Sequence, residues 1–350
     1  MQKPAVKKES ATQKEIFSQP TVWKKTLATW SELDLADYPH IQDFDDVLYI
    51  GCGSTFFLSR WAARVSERVT GKVTRAAPSS EIFLHPDMWL RKNRRTLLIA
   101  SSRSAATTET VKAIRFFKEN FKGEVVGITC NPDEKMGEET PYIIAAPEAQ
   151  EESIAQTRSF TSMMLGHALF LERKIPDDVK TILQTSSENL LSTYQNTISN
   201  LARDEAIQRF FYLGSGPLYG LACECMLKMK EISLSYAEAF HTLEFRHGPM
   251  SMVDESTLVI GLIGNTGIDE EAKVLQEMAE KGAQTIAIGD LSSSKFETGL
   301  TINLNAELPL LWRSVLYLPA MQWLAHERGL HKGLDPDQPH HLEAVVVLDE

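Results

Sequence analysis

The stretch LLIASSRSAATTET (residues 97–110) runs four apolar residues straight into a crowd of hydroxyl side chains. These are Ser101, Ser102, Ser104, Thr107, Thr108 and Thr110, with Thr96 just upstream. Leu97, Leu98, Ile99 and Ala100 read as a buried parallel strand. From 109 to 120, Val111, Ile114, Phe117 and Lys118 recur at helical spacing. The hydroxyls therefore fall at a strand-to-helix turn. There the first helical N–H groups lack intrahelical partners, and the helix dipole favours an anion. Small side chains also let a phosphate come close. Capping is the simpler use of Ser and Thr, but one cap needs one hydroxyl and this turn carries several.

Working outward, the same plan occurs twice. DDVLYIGCGSTFFLSRWAARV begins at Asp45 and IQRFFYLGSGPLYGLACECML at Ile207, so Gly51 and Gly53 recur as Gly214 and Gly216. In each half an apolar strand meets Gly-x-Gly and a helix. A second strand follows (TLLIASS or TLVIGLIGNTG), then a helix (109–120 or 269–281), then a third strand (EVVGITC or AQTIAIGD). Strands joined by helical crossovers form parallel sheets covered on both faces, so the expected fold is α/β with two tandem domains. The expected layout is a helical arm over 1–42 holding Trp23 and Trp30, a first domain over 43–175, and a polar helical connector over 176–200. A second domain over 201–334 and a turn-rich tail over 335–350, ending in a strand-like AVVVL, complete it. Neither glycine loop completes the dinucleotide fingerprint; the glycines instead let a loop approach a ligand at the carboxyl ends of the strands.

Composition narrows the function. A formal charge of −11 argues against a nucleic-acid surface, though not against a phosphorylated small ligand in a locally positive pocket. Cys52, Cys130, Cys223 and Cys225 lack zinc spacing and read as reduced thiols, with no metal implied. The amino terminus has no apolar signal core. The most apolar window, 308–325, contains Arg313, Gln322, Pro309 and Pro319 and reads as a buried helix. The expectation is a soluble cytoplasmic protein with neither membrane nor nucleic acid as partner.

The densest polar chemistry lies in CECMLKMKEISLSYAEAFHTLEFRHGPM (residues 223–250). Glu224, Lys228 and Glu231 share one helix face, a pattern that surface charge pairing explains equally well. After the helix breaks near Ser235, His241, Glu244, Arg246 and His247 precede a Gly-Pro turn. A loop histidine beside a helix carboxylate is an acid/base pair in waiting.

GCGST, SSRSAATTE, SIAQTRSFTS, LKMKEIS with AEAFHTLEFRHGPM, and DPDQPHHL together resemble the sugar-isomerase (SIS) domain proteins, in the tandem arrangement of the isomerase half of glucosamine-6-phosphate synthase. The resemblance spans about residues 15 to 350. It implies two tandem SIS domains and a phosphorylated amino sugar as ligand, without cofactor or metal. Ser102, Ser104 and Thr107, with Arg103 between them, would bind the phosphate. Cys52, Gly53, Ser54 and Thr55 of the first glycine loop would line the pocket, as would Ile154 and Gln156. Glu231 would move a proton between C1 and C2 through an enediol or enolamine. Lys228 would sit near the sugar hydroxyls, and His247 would open the sugar ring from a neighbouring subunit, implying a homodimer with shared sites.

Two departures shape the expected reaction. The chain begins Met1-Gln2 without the synthase's glutaminase half, so no ammonia from glutamine is expected. The stretch HHLEAVVV has Ala344 where the synthase carries a Schiff-base lysine; Lys332 lies upstream at a different motif position. The implied enzyme is an isomerising deaminase taking glucosamine 6-phosphate to fructose 6-phosphate and ammonia. A deglycase of a 6-phosphofructosyl amine and a non-catalytic phosphosugar sensor are the alternatives, and retention of Glu231 and His247 favours catalysis.

Overall fold

Among the described residues, ten parallel strands make two sheets of identical plan. A computed structural model describes residues 9–291, 299–343 and 345. In the first half, β1 (Asp46–Gly51), β2 (Thr74–Pro78), β3 (Arg95–Ser102), β4 (Lys122–Thr129) and β5 (Ile143–Ala145) lie in the order β2-β1-β3-β4-β5. In the second, β6 (Arg209–Gly214), β7 (Tyr236–Phe240), β8 (Thr257–Leu262), β9 (Gln284–Gly289) and β10 (Leu300–Asn303) lie in the order β10-β9-β8-β6-β7, the same order read from the other edge. The α/β expectation holds, and each sheet gains strands that the periodicity did not mark: β2, β5, β7 and β10. Leu97, Leu98, Ile99 and Ala100 of β3 are fully buried, as a strand covered on both faces must be.

The helices that matter for the site are α1 (Ala11–Trp30), α2 (Ser54–Thr70), α3 (Thr108–Asn120), α4 (Arg158–Glu172), α5 (Val179–Arg203), α6 (Leu218–Ser233), α7 (Ile268–Glu280) and α8 (Leu318–His331). The connector expected at 176–200 is α5, and it packs along α8. The single buried helix expected over 308–325 is instead broken into Leu310–Arg313, a 3-10 turn Ser314–Tyr317 and α8, with Pro319 in the first turn of α8, where a missing N–H costs nothing. From Leu311 to Ala325 the segment is nonetheless buried, and Arg313 is paired with Asp290 at 3.0 Å. Among the described residues no helix is long and apolar enough to cross a membrane. The AVVVL tail and Ala344 lie outside the described residues, apart from Val345.

The arm is part of the core. Trp23 Nε1 donates to Thr161 Oγ1 of α4 at 2.9 Å, and Gln19 Nε2 donates to Gln322 Oε1 of α8 at 2.8 Å. Its first turn is capped by Ser10 and by Asp337, whose carboxylate accepts from the N–H groups of Ala11 and Thr12 at 2.9 and 2.8 Å. The two halves meet where α2 packs on α6. Gly220 permits the contact: a Cβ there would lie 2.6 Å from the Trp61 nitrogen and 2.9 Å from the Phe57 carbonyl oxygen. Both α2 and α6 begin at the carboxyl ends of their central strands, so this seam lies beside the crevices where α/β sheets take ligands.

Candidate active site

The hydroxyl turn closes on itself. β3 ends at Ser102 and α3 starts at Thr108, with Thr107 at its N-cap position but making no capping bond through its side chain. Thr107 Oγ1 instead lies 3.4 Å from both Ser102 Oγ and Ser104 Oγ. The turn is held by donation from Ala105 N to Ser102 Oγ at 3.1 Å and from Ala106 N to Ser104 Oγ at 3.2 Å. Ala105 is fully buried with φ of 55°, a left-handed conformation that costs a non-glycine residue roughly 1–3 kcal/mol. Its carbonyl accepts from Met136 N at 2.9 Å, which fixes the strained residue from behind. Three hydroxyls are thus gathered at the start of a thirteen-residue helix, and Thr107 at its N-cap makes no side-chain capping bond.

Arg103, expected among the phosphate ligands, is engaged through one nitrogen by the strap that runs beside the turn. Its Nη1 is directed at the strap of residues 150–157, donating to the carbonyls of Ser153 and Ile154 at 3.3 and 3.0 Å and lying 3.4 Å from Glu151 Oε2. The physical reason is the buried Glu151 carboxylate, which needs a cation. Glu151 also accepts from Thr157 N at 2.6 Å, Thr157 Oγ1 at 2.7 Å, Ser159 N at 3.2 Å and the Ser159 hydroxyl. Glu15 of α1 accepts from Glu152 N at 2.6 Å, Ser153 N at 3.2 Å and the Ser153 hydroxyl; burial first, then Glu151, pushes its pKa up. Ile154 N donates to the Asp337 carbonyl at 3.2 Å. The strap bearing Ile154 and Gln156 is therefore fastened to the arm, the tail and the hydroxyl turn together. Gln156 Oε1 is buried with no protein partner among the described residues.

The first glycine loop joins this turn to the second half of the chain. Cys52 N donates to Thr55 Oγ1, and Thr55 Oγ1 donates to the Cys52 carbonyl, each at 2.9 Å, so the Thr55 hydroxyl is spent inside the loop. Gly53 has φ of 54°, which its missing side chain permits. Cys52 Sγ lies 3.5 Å from Thr110 Oγ1 in the first turn of α3, and Thr110 is in turn 3.0 Å from Ser79. Ser54 points across the seam. Its hydroxyl donates to Glu224 Oε1 at 3.2 Å and accepts from Lys228 Nζ at 3.0 Å.

Glu224, Lys228 and Glu231 form one buried cluster, not a solvated stripe. Lys228 is 1% exposed, bonds Glu231 Oε2 and lies 3.4 Å from Glu224 Oε1. Burial dominates at Glu224, raising its pKa to about 8 against the opposing pull of Lys228, with Glu231 raising it further. For Lys228 burial alone would lower the pKa, yet the carboxylates of Glu224 and Glu231 hold it above its ordinary value. Burial thus favours the protonated form of Glu224, beside a Lys228–Glu231 ion pair. Glu231 is its most accessible member, with 17% of the side chain exposed. Glu224 was legible only as part of the stripe; its apolar flanks Ala222, Cys223, Cys225 and Met226 were the signal that it is buried. Such a group can take and return a proton at one carboxylate while the neighbouring cation holds it in place.

His247 stands apart. It is exposed at the end of the turn Glu244–Arg246 and makes no hydrogen bond or ion pair with the cluster of its own chain. Arg246 fixes that turn by a two-pronged pair with Glu277 at 2.6 and 2.9 Å. In the second sheet the crevice equivalent to the hydroxyl turn already holds a carboxylate: Glu271 accepts from Gly264 N at 3.3 Å and from Thr242 Oγ1 at 3.4 Å, and burial raises its pKa.

Comparison with known proteins fits this geometry. The SIS domain family matches residues 40–172 and 206–308, one match on each sheet. The chain belongs to that family. It is 25% identical over 351 residues to glutamine–fructose-6-phosphate aminotransferase (isomerizing) of Methanothermobacter thermautotrophicus, across 96% of this chain and 57% of that protein. The chain thus spans a little over half the length of the curated relatives it matches. Among solved structures, tagatose-6-phosphate ketose/aldose isomerase of Escherichia coli superposes with a TM-score of 0.88 at 23% identity, covering 100% and 99% of the two chains. Glucosamine-6-phosphate deaminase of Thermotoga maritima superposes with a TM-score of 0.80 at 25% identity, covering 97% and 100%.

The buried cluster makes stability depend on pH with a definite sign. A carboxyl whose pKa is raised on folding contributes fully below its unfolded value, and that contribution is lost as pH rises through the folded value, here about 8. Between about pH 5 and pH 9 the wild type should lose roughly 2–4 kcal/mol relative to Glu224→Gln. Thermal or urea unfolding of both proteins across that range checks it; a difference independent of pH would mean that Glu224 is ionised throughout.

Proposed function

We propose that the protein is an isomerising deaminase of a 2-amino-2-deoxyhexose 6-phosphate, glucosamine 6-phosphate foremost. The observation that carries this reading is the bridge at Ser54, which sets the buried Glu224–Lys228–Glu231 group beside the loop that also contacts the hydroxyl turn. In this reading the hydroxyls of Ser102, Ser104 and Thr107 hold the phosphate at the helix start, and the open-chain sugar extends toward the seam. Glu231 removes the C2 proton of the aldehyde form, giving an enolamine, and returns a proton to C1. The product is a ketose 2-imine, to which water adds and from which ammonia leaves. The substrate's own nitrogen serves as the imine, so no protein amine is required. Ala344 in place of a lysine agrees with that economy.

The close structural likeness to a glucosamine-6-phosphate deaminase and the span matched in isomerizing aminotransferases support the same chemical class. Ammonia release is the decisive measurement, with glucosamine, galactosamine and fructosyl-amine 6-phosphates as substrates. The first or second should be turned over. In Ser104→Ala the affinity for the phosphorylated sugar should weaken by about 1–3 kcal/mol, the scale of a hydrogen bond to a charged group. Release only from the fructosyl amine would make the protein a deglycase, and binding without any release would make it a sensor.

We further assign His247 to the site of a second copy, since it is exposed and bonds to no member of the cluster of its own chain. Two-fold symmetry then builds two composite sites per dimer. His247→Ala and Glu231→Gln chains, each inactive alone, should recover activity on subunit exchange. Verified mixed dimers without activity would place each site within one chain.

A further inference from the structure

We propose a second anion site, at the far side of the α2–α6 seam, that takes a phosphomonoester with a flat or apolar organic part. A cavity of about 370 Å³ opens there, lined by Phe56, Arg60 and Arg64 of α2 and by Gly216, Tyr219 and His241 from the second half. That volume lies within the range of small-molecule sites, which run from about 300 to 1,000 Å³.

The charge of the cavity is the first argument. Arg60 and Arg64 give it two cations in a chain of formal charge −11, and no acidic residue lines it. Arg60 has no carboxylate partner among the described residues: its guanidinium lies 4.5 Å over the Tyr219 ring and 5.9 Å from the Phe56 ring, and Nη1 faces Cys223 Sγ at 3.9 Å. Arg64 pairs with Glu67 at 2.7 Å on the exposed surface, a bond that an incoming anion can replace at small cost. The field is felt locally, since burial, Arg60 and Arg64 together depress the His241 pKa, with Glu244 opposing them.

The walls are the second argument. Tyr219 and His241 lie tilted against each other with ring centroids 3.8 Å apart at 35°, and Phe56 also lines the cavity, which so pairs a guanidinium fork with aromatic rings. This place is distinct from the hydroxyl turn, and the proposal stands without the catalytic reading. The two sites nevertheless share helices: α2 carries Arg60 as well as Ser54, and α6 carries Tyr219 as well as Lys228 and Glu231.

Inorganic phosphate and phenyl phosphate are the probes, and the imidazole resonances of His241, assigned with His241→Gln, are the readout. Both probes should shift His241 saturably, phenyl phosphate at the lower concentration. Arg60→Gln should raise the half-saturation concentration at least tenfold. Arg64→Gln, a surface change, should raise it several-fold, and Ser104→Ala should leave it unchanged. The proposal falls if His241 does not respond saturably in the wild type, if its response survives both arginine substitutions, or if Ser104→Ala abolishes it. Loss of the His241 response with sugar-phosphate binding at the hydroxyl turn intact would overturn this site alone.

Discussion

One hydroxyl joins the two halves of this protein. Ser54 begins the helix that follows the first strand, and it donates to Glu224 while accepting from Lys228 on the helix that follows the sixth. Buried charges cost several kcal/mol each unless attraction and hydrogen bonds compensate. Here compensation is shared between halves: Glu231 neutralises Lys228, a proton neutralises Glu224, and Ser54 fills a remaining bonding position. Close approach of the helices depends on Gly220, because any side chain there would meet the backbone of Trp61 and Phe57. Glu224 Oε2 is buried without a partner among the described residues. An arrangement that tolerates such a cost is expected where chemistry rather than stability is served.

The same fold occurs twice, and its two crevices differ in chemistry. In the first, Cys52 and Ser79 both meet Thr110 beneath the hydroxyl turn, and no carboxylate stands among them. In the second, Ser215 and Thr242 meet Glu271, whose carboxylate takes the N–H of Gly264 and occupies the anion position from within. Duplication thus leaves one half with a hydroxyl turn and the other with the buried Glu224–Lys228–Glu231 group, and the proposed reaction draws on both.

The central strands and helices were legible because their periodicity is strong: β1, β3, β6 and β8 are continuous apolar runs, and Glu231 follows Lys228 at helical spacing. The strands β2, β5, β7 and β10 were not, being short and in part half-exposed, as TRAAP, IIA, YAEAF and LTIN are. Tertiary pairing, not local pattern, makes them strands. At the site, the hydroxyl cluster and the Lys228–Glu231 pair could be read from composition and spacing. The direction of Arg103 could not, because it is set by Glu151, whose burial arises only once Thr157 and Ser159 fold back on it. The structural weight of Glu15 and Asp337 was hidden for the same reason, since their partners lie more than a hundred residues away.

The account requires that a carboxylate from the second half act on a sugar held by the first. Exchange of the C2 proton of glucosamine 6-phosphate with solvent deuterium, followed in the wild type and in Glu231→Gln, tests that step without waiting for ammonia to leave. The account predicts a fall in exchange of roughly 10²-fold or more, the scale of a lost general base, with phosphate-dependent binding of the sugar retained. Exchange at the wild-type rate in Glu231→Gln would contradict it and move the base elsewhere.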